Sequence, residues 1–321
     1  MQSSVLSRVP TTTTVFHLLT LSLSLLLLPL PSLPLSLCRT SCGPIPVAYP
    51  FAVDDGCGSP SFRRMLSCNA SDLFFVTPSG AYKVQSIDYA KRKVVVFDPA
   101  MSTCSILQPH HDFALTDVQA ALIPPSDDTI FAVLNCSVDS PVANHFKYLC
   151  SPDVGGHSCG EMYGACASFR IFRSATPQGA NQSSPTSSPT SPPCCFTRYA
   201  TVRFMSMNML DCTHYTTVID SGGLEKTGPL DWTYGIELTY AVPESTACDR
   251  CKRSGGACGF DTESEAMLCL CSPTLNATVE CAAGAGIGSG ERLAPTLPFH
   301  TSLQTLSNLH SPESPSHLDE Q

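Results

Sequence analysis

Charge is scarce in this chain. Of 321 residues only 14% are Asp, Glu, Lys or Arg, and 27 acids against 18 Lys and Arg leave a formal net charge of −9. The field of the whole molecule therefore repels polyanions, which argues against nucleic acid as a partner. An acidic polysaccharide on a local basic patch stays compatible, because charges are screened beyond about 8 Å at physiological salt. Catalytic signatures are missing as well. There is no HExxH, no GxSxG and no Walker loop, and none of the HRD or DFG sequences of a kinase, so zinc protease, α/β-hydrolase and phosphoryl-transfer chemistry lack their residues. No catalytic residue, cofactor or metal is expected. After the amino-terminal leader no run reaches the roughly 20 apolar residues of a membrane span, which leaves none in the mature chain.

What is abundant is cysteine. The leader, residues 1–37, reads as a signal peptide: MQSSVLSR has one Arg and no acid, and Val15 to Leu28 is uncharged and Leu-rich, as an h-region requires. Pro29, Pro31 and Pro34 interrupt it as a spanning helix, and cleavage is expected near Ser36 or Leu37. Behind it stand Cys38, Cys42, Cys57, Cys68, Cys104, Cys136, Cys150, Cys159, Cys166, Cys194, Cys195, Cys212, Cys248, Cys251, Cys258, Cys269, Cys271 and Cys281, all 18 cysteines of the chain. An even, dense set behind a signal peptide predicts a secreted disulfide framework of up to nine bridges. Zinc would want two paired ligand sets, and the spacings after Cys248 and Cys251 fit no common zinc pattern. Asn69, Asn135, Asn181 and Asn276 each open an N-x-S/T sequon, an acceptor for N-linked glycan on an exposed surface.

Strand signals dominate the rest. AYKVQSIDY (81–89), KVVVFD (93–98) and TIFAVLNCS (129–137) carry β-branched and aromatic residues at strand spacing, and DFALTDVQAAL (112–122) is the one short helix expected. Residues 38–173 thus form a first, mainly β unit. The stretch 174–193, rich in Ser, Pro and Thr, has no aromatic or charged residue and reads as a linker or loop. From 194 to 283 the chain is structured again, with YATVRFMSMNML (199–210) and WTYGIELTYAV (232–242) as strand candidates and a cysteine-rich module from Cys248 that needs staples to hold so few residues. Residues 284–321 lose periodicity and read as a disordered tail. The expected fold class is a mainly β, disulfide-rich secreted ectodomain with a small cysteine-rich carboxy-terminal module.

Two motifs carry a resemblance. The segment CRTSCGPIPVAYPF (38–51), followed by DGCGSPSFRRMLSC (55–68), resembles the galacturonan-binding domain of plant wall-associated and leaf-rust-resistance-type receptor-like kinases. CDRCKRSGGACGF (248–260), ending in Cys269 and Cys271, resembles the carboxy-terminal cysteine-rich module of the same receptors. The resemblance implies a non-catalytic, extracellular module that recognises pectin or oligogalacturonides in the cell wall. The other reading is a protein-interaction ectodomain, a decoy or co-receptor whose partners are receptor-like kinase ectodomains. A secreted hydrolase is the weakest reading.

Galacturonan bears a carboxylate on each sugar, so its site needs Arg or Lys for the acids and aromatic faces for the rings. The candidates are Arg63, Arg64, Lys83, Lys91, Arg92 and Lys93, with Tyr82 and Tyr89 as ring platforms. On a strand starting at residue 91, Lys91 and Lys93 share one face. The competing reading makes these charges solvated edge protection. His110-His111 reads as a surface loop, and Asp54-Asp55 before Gly56 as a turn rather than a glycosidase pair.

Overall fold

A computed structural model describes residues 38–145, 147–174 and 191–282. The expected leader, most of the Ser/Pro/Thr-rich stretch with Asn181, and the expected tail lie outside the described residues. The fold is mainly β and disulfide-rich. A meander of antiparallel strands comes first: β1 (Leu66–Asn69), β2 (Asp72–Thr77), β3 (Gly80–Asp88) and β4 (Lys93–Phe97). Its turns are set by residues with positive φ, Ala70 and Ser71 between β1 and β2 and Arg92 between β3 and β4. The Asp88 carboxylate accepts from the N–H groups of Ala90 and Lys91, an Asx turn that closes the second of these hairpins.

The second sheet has β5 (Thr129–Cys136) at its centre, between β6 (Cys195–Thr197) and β7 (Cys212–Ile219). Strand β5 is apolar almost throughout because it is buried on both faces. Alternate residues point opposite ways. Phe131 and Val133 join Val84, Val94, Val96, Ile236 and Leu238 in one core, whereas Ile130, Ala132 and Leu134 join Met162, Phe169, Val218 and Trp232 in another. Strand β8 (Ile236–Thr239) then returns to the first sheet as the neighbour of β4, so strands from both sides of the Ser/Pro/Thr-rich stretch share hydrogen bonds in both sheets. A third sheet, β9 (Ala257–Phe260), β10 (Met267–Ser272) and β11 (Leu275–Ala277), carries the late cysteines together with the helix Thr246–Arg253.

Helices are short: α1 (Asp117–Leu122), α2 (Cys159–Ala165), α3 (Tyr199–Phe204), α4 (Met207–Leu210) and α5 (Thr246–Arg253). Helix α1 falls where a helix was expected, fixed by a capping box of Thr116 and Gln119. Residues 199–210 correct the strand expectation. They form α3 and α4 because Tyr199, Val202 and Met205, three apart, pack on the first core, while Ser206 caps α4 by accepting from the Met209 N–H. Tyr199, Thr201, Val202 and Phe204 are residues that strands favour, and packing at helical spacing overrode that preference.

The described residues pair all 18 cysteines into nine bridges and leave none free. The bridges are Cys38–Cys57, Cys42–Cys68, Cys104–Cys166, Cys136–Cys212, Cys150–Cys195, Cys159–Cys194, Cys248–Cys258, Cys251–Cys269 and Cys271–Cys281. The last three are internal to residues 248–281, so no bridge ties that module to the rest. It docks instead through backbone: Gly58 N–H donates to the Cys258 carbonyl at 2.9 Å and Phe260 N–H to that of Gly56 at 2.8 Å. Gly58 is required to be glycine, since its φ is +76° and a Cβ would stand 2.7 Å from the Pro50 oxygen.

Candidate functional site

Two of the eight expected ligand residues are spent on structure. Tyr82 is 1% exposed; its hydroxyl meets Ser79 Oγ at 2.6 Å and His111 Nε2 at 3.2 Å, and burial pushes its pKa up to about 12. It is a core residue and no platform, because even side-chain alternation on β3 turns it inward with Val84. His111 is thereby anchored to the core, its Nε2 also 3.7 Å from the buried Asp98 carboxylate. Tyr89 is half-buried and works as a clamp, accepting from the Ala48 N–H at 2.7 Å and donating to the Pro46 carbonyl at 3.1 Å.

The lysines are already neutralised. Lys83 Nζ lies 2.8 Å from Asp72. Lys93 Nζ lies 2.7 Å from Glu237 and 3.0 Å from Asp128, and the hydrogen bonds it donates to both carboxylates raise its pKa. Lys91 and Lys93 do line one cleft, of about 620 Å³, but Asp88, Asp128, Asp220 and Glu237 line it too. Four carboxylates against two ammonium groups give that face the wrong sign for a polyanion. The strand begins only at Lys93, so Lys91 and Arg92 sit in the turn. Arg92, exposed, instead borders a second cleft with Tyr49 and with Lys252 of α5, whose ammonium stands 4.5 Å from the Tyr49 ring centroid.

The arginines converge. Arg63 grips Asp55 through Nε at 2.7 Å and Nη2 at 2.8 Å, a two-pronged pairing that fits the planar guanidinium. Its Nη1 donates to the Thr262 carbonyl at 3.2 Å, and the guanidinium stands 5.5 Å from the Phe260 ring centroid. Arg39, which sequence reasoning passed over, pairs with Asp54 through Nε and through its own backbone N–H, both at 2.7 Å. Arg64 differs: its side chain is 77% exposed and its nearest carboxylate oxygen, on Asp55, is 3.8 Å away. It is held outward by a left-handed backbone, φ +60°. Together Arg39, Arg63 and Arg64 line a cleft of about 340 Å³ with Asp54, Asp55 and, from β9, Phe260. The lining holds three guanidinium groups and two carboxylates, Glu265 adds a third carboxylate 3.7 Å from Arg63 Nη1, and Arg64 is the guanidinium with the most distant partner. Asp54-Asp55 is thus the anionic half of this cleft, in a turn as expected. The signal for Arg39 lay in its pairing with Asp54 across Cys38–Cys57, which local sequence does not display.

The cleft's electrostatics predict a pH response. Burial raises the Asp54 pKa, but hydrogen bonds from Arg39 outweigh it and hold the carboxyl below 3.8; hydrogen bonding from Arg63 does the same for Asp55. A carboxyl whose folded pKa is depressed contributes stability that is full above its unfolded value and lost as pH falls through the folded one. Thermal melts should therefore be insensitive to this pair between pH 7 and about 5 and fall below about 3.8. Asp54→Asn should lower the melting temperature at neutral pH and remove part of that acid dependence; an unaltered pH profile in the variant would contradict the pairing.

The sequons separate by environment. Asn69 and Asn276 are exposed, but Asn135 is half-buried and its Nδ2 donates to Thr213 Oγ1 at 2.8 Å. No helix among the described residues is long and apolar enough to cross a membrane.

Residues 38–98 match the family described as wall-associated receptor kinase galacturonan-binding, and residues 221–274 match the family described as wall-associated receptor kinase C-terminal. No curated protein and no solved structure matches the chain. The arginine cleft has its three guanidinium groups in the first matched segment and Phe260 in the second, and the two matches are consistent with a wall-associated-receptor-kinase-like ectodomain.

Proposed function

We propose that this chain is a non-catalytic extracellular module that recognises pectin-type polyuronates, oligogalacturonides among them, in the plant cell wall. One observation carries the reading: the cleft in which Arg39, Arg63 and Arg64 converge is built by the segment that matches a galacturonan-binding family. Arg64 is the cation that meets a uronate carboxylate, because Arg39 and Arg63 are committed to Asp54 and Asp55. The neighbouring arginines hold the cleft's shape and supply background charge. Glycans at Asn69 and Asn276 complete the extracellular reading.

Arg64→Asn tests it, since Asn tolerates the left-handed backbone and removes only the charge. Calorimetric titration with oligogalacturonides should show affinity about tenfold weaker, the 1.4 kcal/mol scale of one charge-assisted contact, with a shallower salt dependence and unchanged folding. Equal affinity in the two proteins would reject this cleft as the site.

A second reading, a surface for receptor-like kinase ectodomains, has its own observation. Val118 on α1 and Phe204 on α3 are 57% and 73% exposed beside the Arg203–Asp117 ion pair that joins their helices. Isolated exposed apolar residues are common, so binding to a receptor ectodomain that survives pectin removal and is lost in Phe204→Ser is the evidence this reading requires.

A further inference from the structure

Two of the nine bridges are not chemically independent. Cys269 Sγ lies 3.5 Å from Cys281 Sγ and 4.0 Å from Cys271 Sγ, although Cys269 is bonded to Cys251 and the other two to each other. The ligand atoms of Cys269, Cys271 and Cys281 all fall within 4.8 Å of one another. Gly256 makes this packing feasible: a Cβ there would stand 2.6, 2.7 and 2.9 Å from the sulfurs of Cys269, Cys281 and Cys251. Sulfurs from both bridges therefore occupy the space that a side chain at residue 256 would take.

A thiolate exchanges with a disulfide by direct attack on one of its sulfurs, so an adjacent thiol is all the reaction needs. We propose that these sulfurs form an exchange site whose substrate is a dithiol. The dithiol reduces Cys271–Cys281 and becomes a disulfide, leaving one hydrogen on each cysteine. Cys281 is the entry point, as the most exposed of the four at 7%. Its thiolate then attacks Cys269 Sγ. The Cys269–Cys281 bond forms, the Cys251–Cys269 bond breaks, and the electron pair departs on Cys251 Sγ, which takes up the proton that Cys281 gave. The oxidation level of the module is unchanged by this second step, but the free thiols have moved from Cys271 and Cys281 to Cys271 and Cys251.

The transfer reaches the rest of the molecule through α5. Cys251–Cys269 ties that helix to β10, and the next residue, Lys252, is the one that sits over Tyr49 of the first matched segment. Reduction of the terminal bridge thus loosens one of the two covalent ties of α5, the other being Cys248–Cys258, at its contact with the neighbouring segment.

Cys271→Ser in the full chain decides the matter, because it leaves Cys281 as a thiol with no reductant present. After incubation near about pH 8, where thiolate is populated, trapping with a maleimide in acidic denaturant and peptide mapping should place roughly a tenth or more of the label on Cys251 and reveal a Cys269–Cys281 peptide. Label on Cys281 alone, with Cys251–Cys269 intact, would overturn the proposal. Should the variant not be secreted, the wild-type protein with one equivalent of dithiothreitol gives the same decision. Label on Cys251 and Cys271 supports the exchange; label confined to Cys271 and Cys281, or falling on any other bridge, refutes it.

Discussion

Replacing Cys136 and Cys212 together by Ala is expected to lower the unfolding free energy by about 4.5 kcal/mol. The two residues lie opposite each other on β5 and β7, and the bridge between them closes a loop with a sequence separation of 76. In the chain-entropy picture a crosslink acts mainly by restricting the unfolded ensemble, with an effect that grows as the logarithm of loop length. Cys248–Cys258, with a separation of only 10, should contribute about 2.7 kcal/mol on the same scale. Both cysteines of the longer bridge are buried, Cys136 and Cys212 at 4% exposure, so two Ala replacements also leave apolar space between β5 and β7 and push the loss in the same direction. Denaturant unfolding of the two double variants, each with its remaining bridges intact, provides the check. A smaller loss for Cys136→Ala/Cys212→Ala than for Cys248→Ala/Cys258→Ala would mean that loop closure does not set the ranking.

Gly259→Val is expected to undock the carboxy-terminal module at a cost of about 3 kcal/mol, the upper part of the range for overpacking. A Cβ at residue 259 would stand 2.3 Å from the Gly56 oxygen and 2.7 Å from Leu270 Cδ1, and the first of these neighbours is backbone that cannot swing aside. The clash falls on the segment that aligns Cys57 with Gly259 and carries the two docking hydrogen bonds. Three internal bridges keep the module itself closed. The loss should therefore appear as faster limited proteolysis of residues 241–247 and an exposed Phe260, with those three bridges still mapped as paired. Because Phe260 and the Thr262 carbonyl support Arg63, polyuronate affinity should fall with docking. Wild-type proteolysis rates in Gly259→Val would show that the module is held by contacts elsewhere.

How far the sequence could be read follows from how local each feature is. Strands 81–89, 93–98 and 129–137 were legible because alternation or a continuous apolar run is written within a few residues, and β3, β4 and β5 lie there. The run 199–210 misled because its aromatic and β-branched residues are a local signal, whereas the helical spacing of Tyr199, Val202 and Met205 matters only once a core exists to receive it. Covalent pairing of the cysteines was legible from their even number and the expected signal peptide; their connectivity was not, since Cys194 and Cys195 reach back to Cys159 and Cys150. Lys93 looked free because its partners, Asp128 and Glu237, come from elsewhere in the chain. Arg63 and Arg64 are adjacent and identical, yet one is locked and one is open, a distinction made by backbone conformation and by a module that begins almost two hundred residues later.

The return of β8 to the edge of β4 also has a consequence in time. Lys93 and Glu237, which meet across that pair of strands, are 144 positions apart. A ribosome adding about 5 to 20 residues per second takes roughly seven to thirty seconds to deliver the second strand after the first. Throughout that interval the outer rim of β4 has no β8 for its backbone groups, and Val94 and Val96 wait for Ile236 and Leu238 to complete their core. An unfilled sheet edge is a template for pairing with any other extended chain. Each residue inserted between the two strands lengthens the wait, and the Ser/Pro/Thr-rich stretch that interrupts the sequence there is therefore a delay built into the birth of the protein as well as a segment of it.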